Sequence, residues 1–296
     1  MHRGRPVVER KGLGARLCAG LGVRALLLAA LVGAPLVASG MQSSTDSSVS
    51  RLVPERQERA PAAALGVAAV PFGVGERLEY DVRFGSLKVG SGTMEVRGVV
   101  DVRGRPTWNT LFTIRGGIPL YRVNDRYESW FDLATLETRR YHQDIDEGNY
   151  ERKRRYEFFP ERGMFQENDR PERPTVKQPL DDGSFLYFVR TLPLEVGAVY
   201  NVPRYFNPEA NPVTIKVLRR DTVEVPAGRF ATVVLQPTFK SRGLFAEGGR
   251  AEVWISDDDR RIMVQMKSRL SIGSLNLYLR DFTTAAAGFQ GPAPPR

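Results

Sequence analysis

Between Val213 and Phe282 apolar and polar residues alternate, with turn residues breaking the run at short intervals. A period of two places alternate side chains on opposite faces of an extended chain. The pattern therefore predicts consecutive antiparallel strands with one buried face and one wet face. Turns fall at Pro226-Ala227-Gly228 and at Asp257-Asp258-Asp259. Proline presets φ and glycine supplies positive φ in the first, and aspartate favours tight turns in the second.

The same alternation recurs upstream. Leu78, Tyr80, Val82 and Phe84 alternate with Glu79, Asp81 and Arg83. Strands are expected over Val89–Val99, Thr107–Arg115, Tyr121–Phe131, Thr138–Asp146, Tyr150–Phe159 and Val199–Phe206. Gly90 and Gly92 mark a bulge or a close backbone approach. Glu147-Gly148-Asn149 forms a hairpin turn, and Arg170–Pro179 reads as a proline-broken loop. One segment changes period. In Asp181–Leu192, residues Phe185, Phe188, Val189 and Leu192 fall at i, i+3, i+4 and i+7, a helical stripe. Asp181 or Asp182 caps it and Pro193 ends it. The run FLYFV inside it also fits a buried strand. The fold expected is all-β: a curved antiparallel sheet forming a barrel-like or half-barrel sandwich, with one short helix at about 181–192.

The flanks do not share this patterning. Residues 1–40 carry six basic residues, then the apolar run Ala25–Ala38 and the small residues Ala38-Ser39-Gly40. That order predicts a secretory signal peptide. The apolar run is shorter than the roughly twenty residues of a spanning helix, with an uncleaved anchor as the alternative. No Arg-Arg pair precedes it, which points to the general secretory route into the periplasm or medium. Residues 41–70 read as a linker, 71–282 as a single all-β domain and 283–296 as a loose tail. Cys18, the chain's one cysteine, lies in the leader, so the exported domain has no disulfide and no thiolate metal site. Five of the nine formal positive charges also leave with the leader. The remainder lacks any nucleic-acid-binding motif, and no nucleic-acid partner is expected.

Several blocks resemble one bacterial exported family, domain of unknown function 3108. They are PFGVGERLEYDVRFGSLKVGSGTMEV from Pro71, NDRYESWFD (Asn124–Asp132), EGNYERKRRY (Glu147–Tyr156), DGSFLYFVRTLPLEVG (Asp182–Gly197), DTVEVPAGRF (Asp221–Phe230), VWISDDDRRIMVQMKS (Val253–Ser268) and IGSLNLYL (Ile272–Leu279). Their order along Pro71–Phe282 carries the resemblance. Ile262 departs from it, standing where the family has a residue nearer to Pro or Leu. The resemblance implies an envelope-located all-β domain with a barrel-like sheet, loosely like the half-barrel carriers that shield lipid, and it implies no reaction.

His142 is the only histidine outside the leader, and on a strand it shares a face with Asp144 and Asp146. One imidazole and two carboxylates could hold a metal or serve a hydrolase, whereas a polar hairpin face explains them equally well. Arg139, Arg140, Arg152 and Arg154, with Lys153 and Arg155, flank the Gly148-Asn149 turn beside Tyr141 and Tyr156. If gathered on one face, they would suit an anionic lipid head or an acidic glycan. Asp257–Asp259 lacks calcium-loop spacing. Asp125, Arg126 and Glu128 are expected to form internal ion pairs rather than a glycosidase dyad. The functional expectation is a non-enzymatic binding or carrier module for a lipid-like ligand, without cofactor. The candidate ligand-binding residues are Arg139, Arg140, Arg152, Arg154, Tyr141, Tyr156, Phe185 and Phe188. The alternative is an adaptor that meets an envelope partner protein through a sheet edge or the basic hairpin. Membrane attachment is expected only through an uncleaved leader.

Overall fold

A computed structural model describes residues 70–240, 250–269 and 274–285. The leader, the linker up to residue 69 and the tail from residue 286 lie outside the described residues. Fourteen strands within them form one sheet. In chain order they are β1 (Arg77–Phe84), β2 (Leu87–Asp101), β3 (Pro106–Ile118), β4 (Tyr121–Asp132), β5 (Thr138–Glu147), β6 (Tyr150–Phe159), β7 (Met164–Glu167), β8 (Arg173–Pro174), β9 (Val199–Val202), β10 (Val213–Val225), β11 (Gly228–Thr238), β12 (Arg250–Ser256), β13 (Met263–Arg269) and β14 (Ser274–Thr283). A helix, α1 (Asp182–Val189), lies between β8 and β9.

The sheet order is β8-β7-β6-β5-β4-β3-β2-β1-β14-β13-β12-β11-β10-β9, and every neighbouring pair is antiparallel. Two meanders, β1 to β8 and β9 to β14, thus join through the β1–β14 ladder. The ladder does not close on itself. Its ends are instead tied by the segments that follow the edge strands. Leu180 bridges Tyr205 in parallel, donating to the Arg204 carbonyl at 2.6 Å and accepting from Phe206 N–H at 2.9 Å. Thr175 Oγ1 donates to the Phe206 carbonyl at 2.8 Å. The Phe206 ring packs on Tyr156, Phe158 and Phe165 at centroid distances of 5.4, 5.6 and 5.5 Å. The curvature thereby brings β6 and β7 against the chain leaving β9 and makes one apolar interior.

The helix sits inside that interior. Gly183, Ser184, Phe185, Tyr187, Phe188 and Val189 are all buried, so the single apolar stripe expected from spacing gives way to burial nearly all round. The helical period wins over the buried-strand alternative because Asp181 closes a capping box with Ser184. The helix ends at Val189, three residues before the expected Leu192, although Leu192 remains buried. Its far end is fixed by Arg190, whose Nη1 and Nη2 donate to the two Glu76 carboxylate oxygens at 2.6 and 2.7 Å. Both partners are buried, and Nη2 also reaches the carbonyls of Pro71 and Arg260. The helix thus runs across the interior to the turn between β12 and β13.

Other differences are local. The Pro-broken loop contains the short strand β8, and Met164–Glu167 forms β7. Residues 203–206 leave the sheet after β9. The other expected strands are present, several of them longer than their alternating cores.

Candidate ligand-binding site

Antiparallel succession puts the turns after β1, β3 and β5 at one end of the sheet. A cavity of about 80 Å³ lies at this end of the interior, above the first turn of α1. A water needs roughly 10–15 Å³ of comparable space, so the cavity has room for much more than one solvent molecule. Its walls come from inward positions: Val82 of β1, Val89 of β2, Phe112 and Ile114 of β3, Val123 of β4, and Leu275 and Leu277 of β14. Met263, Met266 and Phe239 complete the far wall, and Phe185 and Leu186 of α1 form the floor.

Glycine lets the strands pass closely at this end. Gly90 and Gly116 face each other across the β2–β3 ladder. Gly116 has φ +154°, and a Cβ there would collide with the Val89 carbonyl oxygen. The expected close approach at Gly90 is therefore present, and its partner is another glycine.

The apolar lining is interrupted on one wall. Asp125 and Tyr121 point inward from β4, and Glu147 points inward from the end of β5. Asp125 and Glu147 are 2% and 5% exposed. Asp125 Oδ1 accepts from the Asp146 N–H at 3.1 Å and Oδ2 accepts from the Tyr127 hydroxyl at 3.4 Å. Glu147 and Asp125 line the same part of this wall, and the two carboxyls bear electrostatically on each other. Burial raises both above the ordinary carboxylate range, and Asp125 raises Glu147 further, to about 8. Two acids that share one apolar wall cannot both ionise cheaply, so a proton stays with the pair. The Tyr121 hydroxyl is buried beside them with no hydrogen-bond partner among the described residues. Burial and the two acids push its ionisation up to about 12.

A second pair of acids, the buried Asp181 and the half-buried Asp182, stands where α1 begins. The Asp181 carboxyl accepts from Gly183 N–H, Ser184 N–H, Ser129 Oγ and Thr138 Oγ1 at 2.7, 3.0, 2.6 and 2.7 Å. Asp182 accepts from the Tyr205 and Tyr141 hydroxyls at 2.8 and 3.0 Å. Burial lifts Asp181 to about 6 despite these donors, and raises Asp182 as well.

The residues singled out from sequence are divided by strand alternation. Tyr141 and Tyr156 face inward and stack at 5.6 Å. Arg154 also faces inward, where Nη1 donates to Gln143 Oε1 at 3.2 Å and Tyr156 Oη at 3.3 Å. Arg152 and Arg154 both approach the buried Glu167, at 3.7 and 3.6 Å. Arg140 lies on the outer face, paired with Glu157 at 2.5 Å and set over Trp130. Arg139 is buried between Glu137 and Glu161. The hairpin does not gather its cations on one face, and acids engage each of these arginines. Phe188 is buried under the Arg204 guanidinium. Of the eight residues, Phe185 lines the cavity.

His142 lies on the outer face, edge-on to Trp130 at 4.8 Å. Burial and the nearby Arg155 and Arg140 lower its pKa. Its expected companions are engaged elsewhere, Asp144 with Arg155 and Asp146 with Arg122, each at 2.6 Å. Arg126 pairs with Glu128 at 2.5 Å, as expected, but Asp125 turns inward to Glu147. Asp258 organises its turn, accepting from Ser256 Oγ at 2.7 Å and Arg260 N–H at 3.1 Å.

Glu147 and Tyr121 were not among the candidates, and Asp125 was expected in an internal ion pair. One signal was available for Glu147: it continues the inward series Tyr141, Gln143, Ile145, which a solvated turn acid would not. Nothing local pairs it with Asp125, 22 positions away.

A family profile described as a protein of unknown function, DUF3108, matches residues 79–280. No curated protein matches the chain. Among solved structures, a β-barrel-like DUF1849 protein from Brucella abortus aligns at 12% identity over 74% of this chain and 100% of that one, with a TM-score of 0.45. A candidate lipoprotein from Parabacteroides distasonis aligns at 10% identity over 72% and 98%, with a TM-score of 0.33. A candidate exported protein of Bacteroides fragilis with a YmcC-like fold aligns at 10% identity over 73% and 98%, with a TM-score of 0.28. At these scores none of them lends this chain a ligand. No helix among the described residues is long and apolar enough to cross a membrane.

Proposed function

The chain belongs to the DUF3108 family, whose function is not established, so we propose a role from the interior alone: an exported, non-enzymatic module that holds an apolar or amphipathic, lipid-like ligand inside the curled sheet. The apolar cavity at the hairpin end carries this reading. Interiors normally pack to crystal-like density, and a hole of this size leaves its lining without partner atoms unless something occupies it. A concave apolar site with a few convergent polar groups is what small-ligand binding needs. Leu87, Leu120 and Tyr150 are exposed at the three neighbouring hairpin tips, which gives this end an apolar approach. Export rests on the basic and apolar leader.

The adaptor reading through sheet edges has less support. The edge strands β8 and β9 have two and four residues, and short edges offer little for strand addition.

The test is native mass spectrometry and lipid extraction of protein recovered from its own envelope, followed by rebinding of a fluorescent acyl-chain probe to the delipidated protein. A bound lipid-sized molecule and saturable probe binding are expected, both lost when Ile114→Trp fills the cavity. Absence of both from the native protein would overturn the proposal.

A further inference from the structure

The acid wall restricts which headgroup the cavity can accept. Asp125 and Glu147 meet where β4 and β5 line the cavity, with Val123 opposite Glu147 in the ladder. The groups around them are Tyr121 and Tyr127 on β4, the Asp146 amide on β5, and the exposed Arg115 of β3 at the cavity edge. Neither acid forms an ion pair among the described residues, whereas the Asp146 carboxylate beyond them is occupied by Arg122. The pair therefore presents carboxyl oxygens, and the Tyr121 hydroxyl adds a buried polar atom with no partner among the described residues. Asp182 on the floor is acidic as well. Buried polar groups in native proteins are nearly always satisfied, so this wall is built to meet something outside the chain.

Resting on the binding reading above, we propose that the cavity selects amphiphiles whose polar end donates hydrogen bonds, namely long-chain amines or alcohols, and disfavours chains that end in a carboxylate. A donor head would satisfy the oxygens of Asp125 and Glu147 while its alkyl chain lies along Val82, Ile114 and Leu277. An anionic head would stand against the negative charge the pair keeps in apolar surroundings, where like charges repel strongly. This headgroup has the opposite sign to the one suited to the Arg-rich hairpin.

Dodecylamine, dodecanol and dodecanoate, matched in chain length, are to be titrated as competitors of the fluorescent acyl probe on the delipidated full domain at neutral pH. The amine and the alcohol are expected to compete, with dodecanoate at least about tenfold weaker because a buried like-charge contact is costly. Asp125→Asn/Glu147→Gln should bring amine and carboxylate to within about threefold of each other, since the charge contrast is gone. Asp125→Asn alone removes the charge the pair keeps while leaving an oxygen for the Asp146 amide, and serves if circular dichroism shows the double variant unfolded. Its amine-to-carboxylate ratio should also shrink. If dodecanoate binds the native protein as tightly as the amine, or if neither variant changes the ratio, the headgroup assignment fails while the carrier reading stands. If neither the probe nor any of the three binds, the carrier reading itself fails and takes this assignment with it.

Discussion

The interior holds two pairs of acids, and they are provisioned differently. Asp181 and Asp182 meet six donors at 2.6–3.0 Å, drawn from two helix amides, a serine, a threonine and two tyrosines. Asp125 and Glu147 have between them one amide and one tyrosine at 3.4 Å. The first pair joins α1 to β4, β5 and the chain after β9, and only Asp182 of the two reaches the cavity floor. The second faces a cavity. Burial raises the carboxyls in both places, so a raised pKa alone does not separate a structural acid from a reserve of binding capacity. The number of donors does.

The contrast breaks most visibly through stability. Asp181→Ala removes the cap and strands the Ser129, Thr138 and backbone donors, and should cost roughly 3 kcal/mol in urea unfolding. An unchanged midpoint would mean that the pair near the helix is as dispensable as the other. Ile114→Trp acts on the opposite region: it should abolish probe binding while costing less than the roughly 1–3 kcal/mol of overpacking a filled core. A larger loss would show that the cavity has no spare room.

Glu147→Gln sharpens the comparison through pH. The folded protein holds this proton more tightly than the unfolded chain, with the pKa raised from 4.5 to about 8. The associated stability is complete below pH 4.5 and is lost as pH rises through about 8. The melting temperature of the variant should therefore gain on that of the native protein as pH rises across this window. Parallel curves would place the Glu147 proton elsewhere. The smallest effect belongs to the outer face. Arg140→Ala removes a half-exposed pair with Glu157 and should change stability by roughly 0.2–1 kcal/mol without altering probe binding.

Much of this molecule could be read from local pattern. Leu78, Tyr80 and Val82 alternate in the sequence and are buried in β1. Gly148-Asn149 turns the chain between β5 and β6, and Asp181 caps the one change of period. The basic hairpin was readable as a hairpin but not as a patch. Alternation sends Arg140 outward and Arg154 inward, and each finds an acid from a different segment, Glu157 or Glu167. Hairpin spacing alone does not reveal those partners.

Period-two alternation and its turns determined by themselves that the chain makes antiparallel strands, because a half-buried strand must alternate whatever its neighbours are. They could not determine how far the sheet curls, since that depends on Leu180 meeting Tyr205 and on Phe206 entering the rings of β6 and β7. Nor could they place α1 across the interior, which the buried Arg190–Glu76 pair fixes over 114 positions of chain. The cavity is what remains between that helix and the curled wall. Its acids converge only because β4 and β5 pair in one register, a long-range choice made by the packing of the whole sheet.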